Sequence, residues 1–418
     1  MRGSLRRNRF VGDARWSLGI FTTRAAASLA FVVVVSRSLE SAAYGLLAAT
    51  SILTSLAAVV VTGGISHAMT MAAARSDGNA GRILAAGLRS AGASVVPVAG
   101  CYLMLASVVL QIPLWPALLL FGADVVLSGA AELVASVLLG LQRFGEASTV
   151  WMFAASTRAV AALLVVLSGT SSLLGVTAAA FFAGLLSIPV TVAAMRRVRR
   201  SPGADVKASV VTRRGAVFTY GNLVSRANND FDKLYLSFKL GESPEVGTYA
   251  LGYRLVEFAT TPLVALSTAA YPRLFKAGES GVSDARALAR RLTIAYFGTA
   301  VSISLLLAAM AAPAEAVFGE SYAGLAEVIW WLSPLPILRA ANNLLSEPLT
   351  GGGQHRIRVA LMTASLVVTV IVIVALFDSL GWKVGIVATY ASEGMLLVGL
   401  ATVALVPSWR RALSSQER

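Results

Sequence analysis

Arg24, Arg158, Arg226, Arg254 and Arg339 all fall inside long apolar stretches, and Asp124, Asp230, Asp232, Glu257 and Glu393 lie in such stretches or near their ends. A charged side chain at the centre of a membrane-spanning helix costs about 2.5–3.5 kcal/mol on insertion scales. Five arginines turned to lipid would cost about 12–18 kcal/mol, comparable with the whole stability of many domains. They are therefore expected to face a helix-bundle interior or an aqueous cavity. A guanidinium offers a planar fork of N–H donors that fits a phosphate or carboxylate. The chemistry predicted is the holding of an anionic group, with the carboxylates balancing charge or binding a coupling cation.

Spacing divides the arginines into two kinds. Arg226 and Asp230 are four residues apart and Arg254 and Glu257 three apart, so each pair can meet on one helix face. Arg24, Arg158 and Arg339 have no acid within a turn of their own helix and need a partner from another helix or from a substrate. They rank first as anion ligands, ahead of Arg226 and Arg254. The halves also differ in sign: Arg24, Arg89 and Arg158 outnumber Asp124 and Glu132, whereas Asp230, Asp232, Glu257, Glu347 and Glu393 outnumber Arg226, Lys233, Arg254 and Arg339.

Several chemistries are not written here. Cys101 is the only cysteine, which removes intramolecular disulfides and cysteine-based metal clusters. His67 and His355 stand apart from other metal-ligating types, and no metal or cofactor site is expected. No Gly-x-x-x-x-Gly-Lys-[Ser/Thr] phosphate loop occurs, so the chain carries no P-loop ATPase. Gly351-Gly352-Gly353 reads as a flexible turn at a span end.

The elements that must position these charges are long apolar helices. Hydrophobic residues make up 56% of the chain and charged residues 13%, and the mean hydropathy is +0.73, which fits an integral membrane protein. A helix needs about 20 apolar residues to span the hydrocarbon, and about twelve such stretches can be placed. Span prolines Pro262, Pro334 and Pro336 are expected to bend their helices. The net charge of +14 is sorted by side. Basic residues crowd the loops on the side of the termini, as in Arg196, Arg197, Arg199 and Arg200, whereas the opposite loops hold Arg37, Lys239 and Lys383. By the positive-inside rule both termini are cytoplasmic, and the basic loops read as contacts with membrane lipid and not with nucleic acid. The external loops, near 36–43, 239–245, 315–324 and 378–383, are too short to build a catalytic domain, so no enzyme is expected.

The chain repeats itself. Glu40-Ser41-x-x-Tyr44-Gly45-x-x-Ala48 returns as Glu242-Ser243-x-x-Val246-Gly247-x-x-Ala250, and Gly140-x-Gln142-Arg143 returns as Gly352-Gly353-Gln354-His355. These echoes predict an all-α integral membrane fold of about twelve transmembrane helices in two six-helix lobes related by an internal parallel repeat, as in many secondary transporters. The first lobe is expected over 1–195, a basic cytoplasmic linker over 196–214 and the second lobe over 215–418.

The seventh and eighth spans read Asn229-Asp230-Phe231-Asp232-Lys233-Leu234, then Val246-Gly247-x-Tyr249-Ala250, then Arg254, Pro262 and Tyr271-Pro272. This pattern, with the first-half counterpart Tyr44-Gly45, resembles polysaccharide (O-antigen type) flippases of the multidrug/oligosaccharidyl-lipid/polysaccharide exporter superfamily, over essentially the whole chain. The resemblance implies movement of a polyprenyl-pyrophosphate-linked oligosaccharide from the cytoplasmic to the outer leaflet of a bacterial inner membrane, in cell-surface polysaccharide biosynthesis. It also implies work alongside a polysaccharide polymerase and a chain-length regulator. The rival readings are a cation-coupled multidrug exporter of the same superfamily and, from another class, a membrane polymerase, ligase or assembly scaffold.

Overall fold

The computed structural model describes residue 23 and residues 26–75, 80–199, 208–264, 266, 282–351 and 355–405. The described residues are helical with short connections and contain no strand. This is what a lipid solvent demands, since a helix satisfies its own backbone N–H and C=O groups. In chain order the helices are α1 (Ala26–Ser38), α2 (Ser41–Ala58), α3 (Gly64–Arg75), α4 (Ala80–Met104), α5 (Leu114–Phe121), α6 (Gly129–Gly140), α7 (Phe144–Ser168), α8 (Leu173–Leu185) and α9 (Ile188–Arg199). They continue with α10 (Ala208–Leu240), α11 (Pro244–Ala259), α12 (Val282–Phe318), α13 (Leu325–Leu332), α14 (Leu335–Gly351), α15 (His355–Leu380) and α16 (Val384–Leu405).

Among the described residues seven helical stretches are long and apolar enough to cross a membrane, the last running from Arg356 to Val403 through both α15 and α16. Sequence reading places about twelve spans. Part of the difference is physical: α10 carries buried charges and so reads as less apolar, while α11 and α14 run for only 16 and 17 residues. Large apolar side chains stand exposed along these helices, including Trp115, Leu163, Leu167, Ile294, Leu305 and Val398. Such a surface suits hydrocarbon and not water.

The chain divides into two compact units. The first runs to Arg226 and adds Leu234–Gly247; the second comprises Ala227–Lys233 and the chain from Thr248 onward. In the first unit α3 packs on α6, and α7 on both α6 and α8. Its core is built from small and branched residues such as Met69, Ile83, Leu133, Val134, Ala135 and Leu138. Thr70 Oγ1 donates to Ser136 O at 3.0 Å, tying α3 to α6. Three π-helical stretches interrupt this unit, Val59–Gly63, Leu105–Val109 and Gly122–Ser128. Each widens a turn by one residue, a feature common at functional positions.

In the second unit α15 packs on α16, and α12 on α13 and α14. At Pro334, where a bend is expected from the sequence, the helix is broken: α13 ends at Leu332 and α14 resumes at Leu335, with Ile337 N donating to Pro334 O at 3.0 Å. Proline lacks the N–H that would continue the ladder. The break lies one turn before Arg339.

The repeated motif marks equivalent helix starts. Ser41 opens α2 and Pro244 opens α11. Ser243 Oγ accepts from Glu245 N at 3.3 Å, and proline suits the first helical position because its missing N–H would lack a partner there. The motif's two glycines abut: a Cβ on Gly45 would lie 3.0 Å from Gly247 N and 3.3 Å from Gly247 Cα. Both belong to the first unit.

Close backbone approach through small residues is how helices associate where lipid offers no hydrophobic drive. A Cβ on Gly140 would lie 2.5 Å from Thr70 O and 2.7 Å from Ala73 Cβ, whereas one on Gly100 would meet nothing within 4 Å. Gly140→Ala should therefore destabilise by about 1–3 kcal/mol, while Gly100→Ala should be neutral or stabilise by about 0.5–1 kcal/mol. Thermal unfolding of the two purified variants in detergent checks this, and equal shifts would refute the packing account.

Candidate functional site

In the first unit the charged groups meet between helices. Arg158, midway along α7, donates from Nη2 to Asp124 Oδ1 at 2.5 Å. Asp124 sits in the π-helical stretch Gly122–Ser128. The guanidinium carbon also lies 5.3 Å from the Phe31 ring centroid on α1, within cation–π range. The Arg158 side chain keeps 29% of its surface exposed and Asp124 21%. A guanidinium has five N–H donors, and Asp124 engages it through one nitrogen, so the arginine retains donors for a further anion.

Around this pair the polar groups are satisfied locally. Glu132 Oε2 accepts from Trp151 Nε1 at 2.6 Å, and Ser136 Oγ donates to the Glu132 carbonyl at 2.7 Å. Tyr102 OH donates to Ala117 O and accepts from Thr54 Oγ1, each at 3.1 Å. Arg226 Nε reaches across to Ser55 Oγ on α2 at 2.9 Å. Arg89 is exposed and returns to its own helix at Ala85 O. Arg24 lies outside the described residues.

The second unit holds a denser and drier cluster. Asp230 and Asp232 are each 3% exposed, Lys233 5% and Glu393 8%. Lys233 Nζ donates to Asn229 O at 2.5 Å and to Asp232 Oδ1 at 3.0 Å, and lies 3.7 Å from Asp230 Oδ1. It stands 3.2 Å above the Tyr253 ring centroid. Tyr249 OH donates to the other Asp232 oxygen. Arg339 donates through Nη2 to Tyr253 OH and to Asn229 Oδ1, the latter at 3.3 Å, and through Nε to Glu393 Oε1 at 3.1 Å. Asn342 Nδ2 donates to Glu393 Oε2 at 2.6 Å and to its carbonyl at 3.0 Å. A polar seam beside it links Ser365 Oγ to Ser392 O at 2.9 Å and Asn228 Oδ1 to Ser365 and Thr369.

Local sequence explains how these groups converge. Asn229 and Lys233 on α10, and Tyr249 and Tyr253 on α11, are each four residues apart and so share a helix face. Gly385 on α16 makes room for Tyr249, because a Cβ there would lie 2.8 Å from the ring's Cζ. Arg254 and Glu257 form their own intrahelical pair at 2.8 Å, with Arg254 half-exposed and 5.2 Å from the Phe258 ring.

Of the arginines without an acid within a turn on their own helix, Arg158 and Arg339 both find one elsewhere in the chain. The two differ in what they have left to give. Arg158 is half-buried with one carboxylate contact; Arg339 spends its donors on Glu393, Asn229 and Tyr253 and is 16% exposed. Sequence reading missed the central place of Lys233 and the two tyrosines. The four-residue spacings of Asn229 with Lys233 and of Tyr249 with Tyr253 were the available signal.

The fold is thus one of apolar helical units with charged side chains held inside them. An inward-facing multidrug resistance MATE family transporter of the MOP superfamily is similar over 97% of this chain and 99% of its own, with a TM-score of 0.69 at 16% identity. A eukaryotic MATE transporter is similar over 98% of each chain, with a TM-score of 0.69 at 13% identity. The lipid II flippase MurJ, in an inward closed conformation, is similar over 94% of this chain and 87% of its own, with a TM-score of 0.69 at 11% identity. At such identities the likeness is one of fold. No curated protein matches the sequence. The sequence model described as polysaccharide biosynthesis protein matches residues 13–277, and the chain belongs to that family.

Removing one partner of a buried ion pair leaves an uncompensated charge, whereas removing both can be nearly neutral. Glu393→Ala, which strips Arg339 and Asn342 of their acceptor, should destabilise by about 3–5 kcal/mol. Glu393→Leu with Arg339→Met should cost less than the sum of the single changes. A double-mutant cycle read by unfolding in detergent measures this coupling, and additivity would show that the pair does not interact.

Proposed function

We propose that this chain is a flippase that carries a polyprenyl-pyrophosphate-linked oligosaccharide from the cytoplasmic to the outer leaflet of a bacterial inner membrane, in cell-surface polysaccharide biosynthesis. The single observation that carries this reading is Arg158: a guanidinium set in a membrane-spanning unit, partly exposed, with N–H donors beyond the one given to Asp124. A pyrophosphate is the kind of doubly anionic head that such a group holds. Membership of the polysaccharide biosynthesis family and the fold shared with a lipid II flippase support the same cargo. In this reading Arg158 binds the head first, assisted by Arg24, Arg226 and Arg254. Arg339 orders the second unit's cluster, and Asp124, Asp230, Asp232, Glu257 and Glu393 balance charge as the cycle proceeds. Both termini face the cytoplasm, alternating access carries the head across the membrane, and a polymerase and a chain-length regulator receive the product.

The test is the appearance of lipid-linked glycan in the outer leaflet of cells or proteoliposomes. Arg158→Gln should cut the rate roughly 10–100-fold, the range expected for losing a hydrogen bond to a charged partner. Arg197→Gln, at a side chain 66% exposed, should leave it unchanged at matched expression. Equal activity in both variants would defeat the assignment.

A second reading, export of small organic cations, is favoured by the carboxylate excess buried in the second unit and by the fold shared with MATE transporters. Drug resistance conferred by the wild type, abolished by Asp232→Asn and indifferent to Arg158→Gln, would select it.

A further inference from the structure

Lys233 is surrounded as a desolvated metal cation would be. Its ammonium meets a backbone carbonyl at 2.5 Å (Asn229), a carboxylate oxygen at 3.0 Å (Asp232), a second carboxylate oxygen at 3.7 Å (Asp230) and the face of an aromatic ring at 3.2 Å (Tyr253). The Asp232 carboxylate is fixed from its far side by the Tyr249 hydroxyl, so the oxygen facing Lys233 is held in place. The side chain is 5% exposed, which excludes bulk water as a competing ligand shell. Hard oxygen donors and a π-face are the groups that hold alkali and small ammonium ions. An ordinary surface lysine has neither this burial nor this closed set of ligands.

We infer that Asn229, Asp230, Asp232 and Tyr253 form a binding cage for a monovalent cation, and that Lys233 fills it as a tethered cation supplied by the chain itself. The second unit's carboxylates are thereby partly neutralised without any ion from solution. Two consequences follow. The wild-type unit is indifferent to which alkali cation is present, and truncating the lysine uncovers a site for a small free cation of the Na⁺, K⁺ or methylammonium class. Neither consequence depends on the cargo, so the cage and the flippase reading can fail separately.

The experiment compares full-length wild type, Lys233→Ala and the double variant Asp232→Asn with Lys233→Ala in detergent. Unfolding temperature is read at constant ionic strength in the chlorides of Na⁺, K⁺, methylammonium or N-methyl-D-glucamine, the last too large for the cage. Wild type should unfold at the same temperature in all four. Lys233→Ala should unfold lowest in N-methyl-D-glucamine and rise by about 3–8 °C at 0.1 M of at least one small cation, as expected for millimolar binding. The double variant, lacking the Asp232 charge, should lose that response. A purely structural lysine would give Lys233→Ala one lowered temperature whatever the salt, and that result would overturn the inference. So would a wild type as salt-selective as the variant. If Lys233→Ala is recovered folded only when methylammonium or an alkali ion is present during purification, the cage is supported; if it is recovered in none of the four salts, the cage is refuted.

Discussion

Ionic groups out of water must be answered at contact distance, and that requirement organises this protein. The desolvation cost of a single buried ion is several kcal/mol, so each charge recruits partners wherever the chain can bring them. Lys233 draws on its own helix, Arg254 on Glu257 one turn away, and Arg158 and Arg339 on acids from other helices. Some helices that carry these groups, such as α10, are less apolar than their neighbours, whereas α7, which carries Arg158, is apolar enough to span a membrane. They remain compatible with a membrane because the charges are turned inward and matched.

The two units solve this problem differently, and the difference has functional meaning. In the second unit the network is dense: the Asp232 and Glu393 carboxylates, the Arg339 guanidinium and the Tyr249 and Tyr253 hydroxyls are engaged with their neighbours, and the side chains are nearly sealed, although the buried Asn342 Oδ1 has no hydrogen-bond partner among the described residues. Such mutual engagement makes a rigid, specific arrangement, because a member removed leaves its partners uncompensated. In the first unit the Arg158–Asp124 contact is partly open and lies beside a π-helical stretch, where the backbone is less regular.

Much of the architecture was legible in the sequence, because apolar length is a local signal. The helical class and the Arg254–Glu257 pair follow from apolar length and spacing, whereas Arg226, spaced to meet Asp230, bonds Ser55, and Asp230 lies beside Lys233. The interhelical partners were not legible. Arg158 and Asp124 are 34 residues apart and Arg339 and Glu393 54 apart. Nothing in local periodicity says which of several mid-span acids a given arginine will meet. The π-helical stretches were invisible too, since an extra residue in a turn leaves the apolar pattern nearly unchanged. Lys233 was visible as a charge and not as a hub, because its role depends on Tyr253 arriving from α11.

The break at Pro334 separates a short apolar helix from one that begins with the buried cluster. It sets where Arg339 and Asn342 point, since a continuous helix would carry them along a single straight axis. The meeting of Gly45 with Gly247 has a different reach. A Cβ on Gly45 would crowd the backbone of Gly247, and one on Gly247 would crowd the backbone of Ser41, so both copies of the motif need a bare backbone here. Hybrid chains assembled from one half of this protein and the complementary half of a family member will fit only when the donor also brings a bare backbone to that spot.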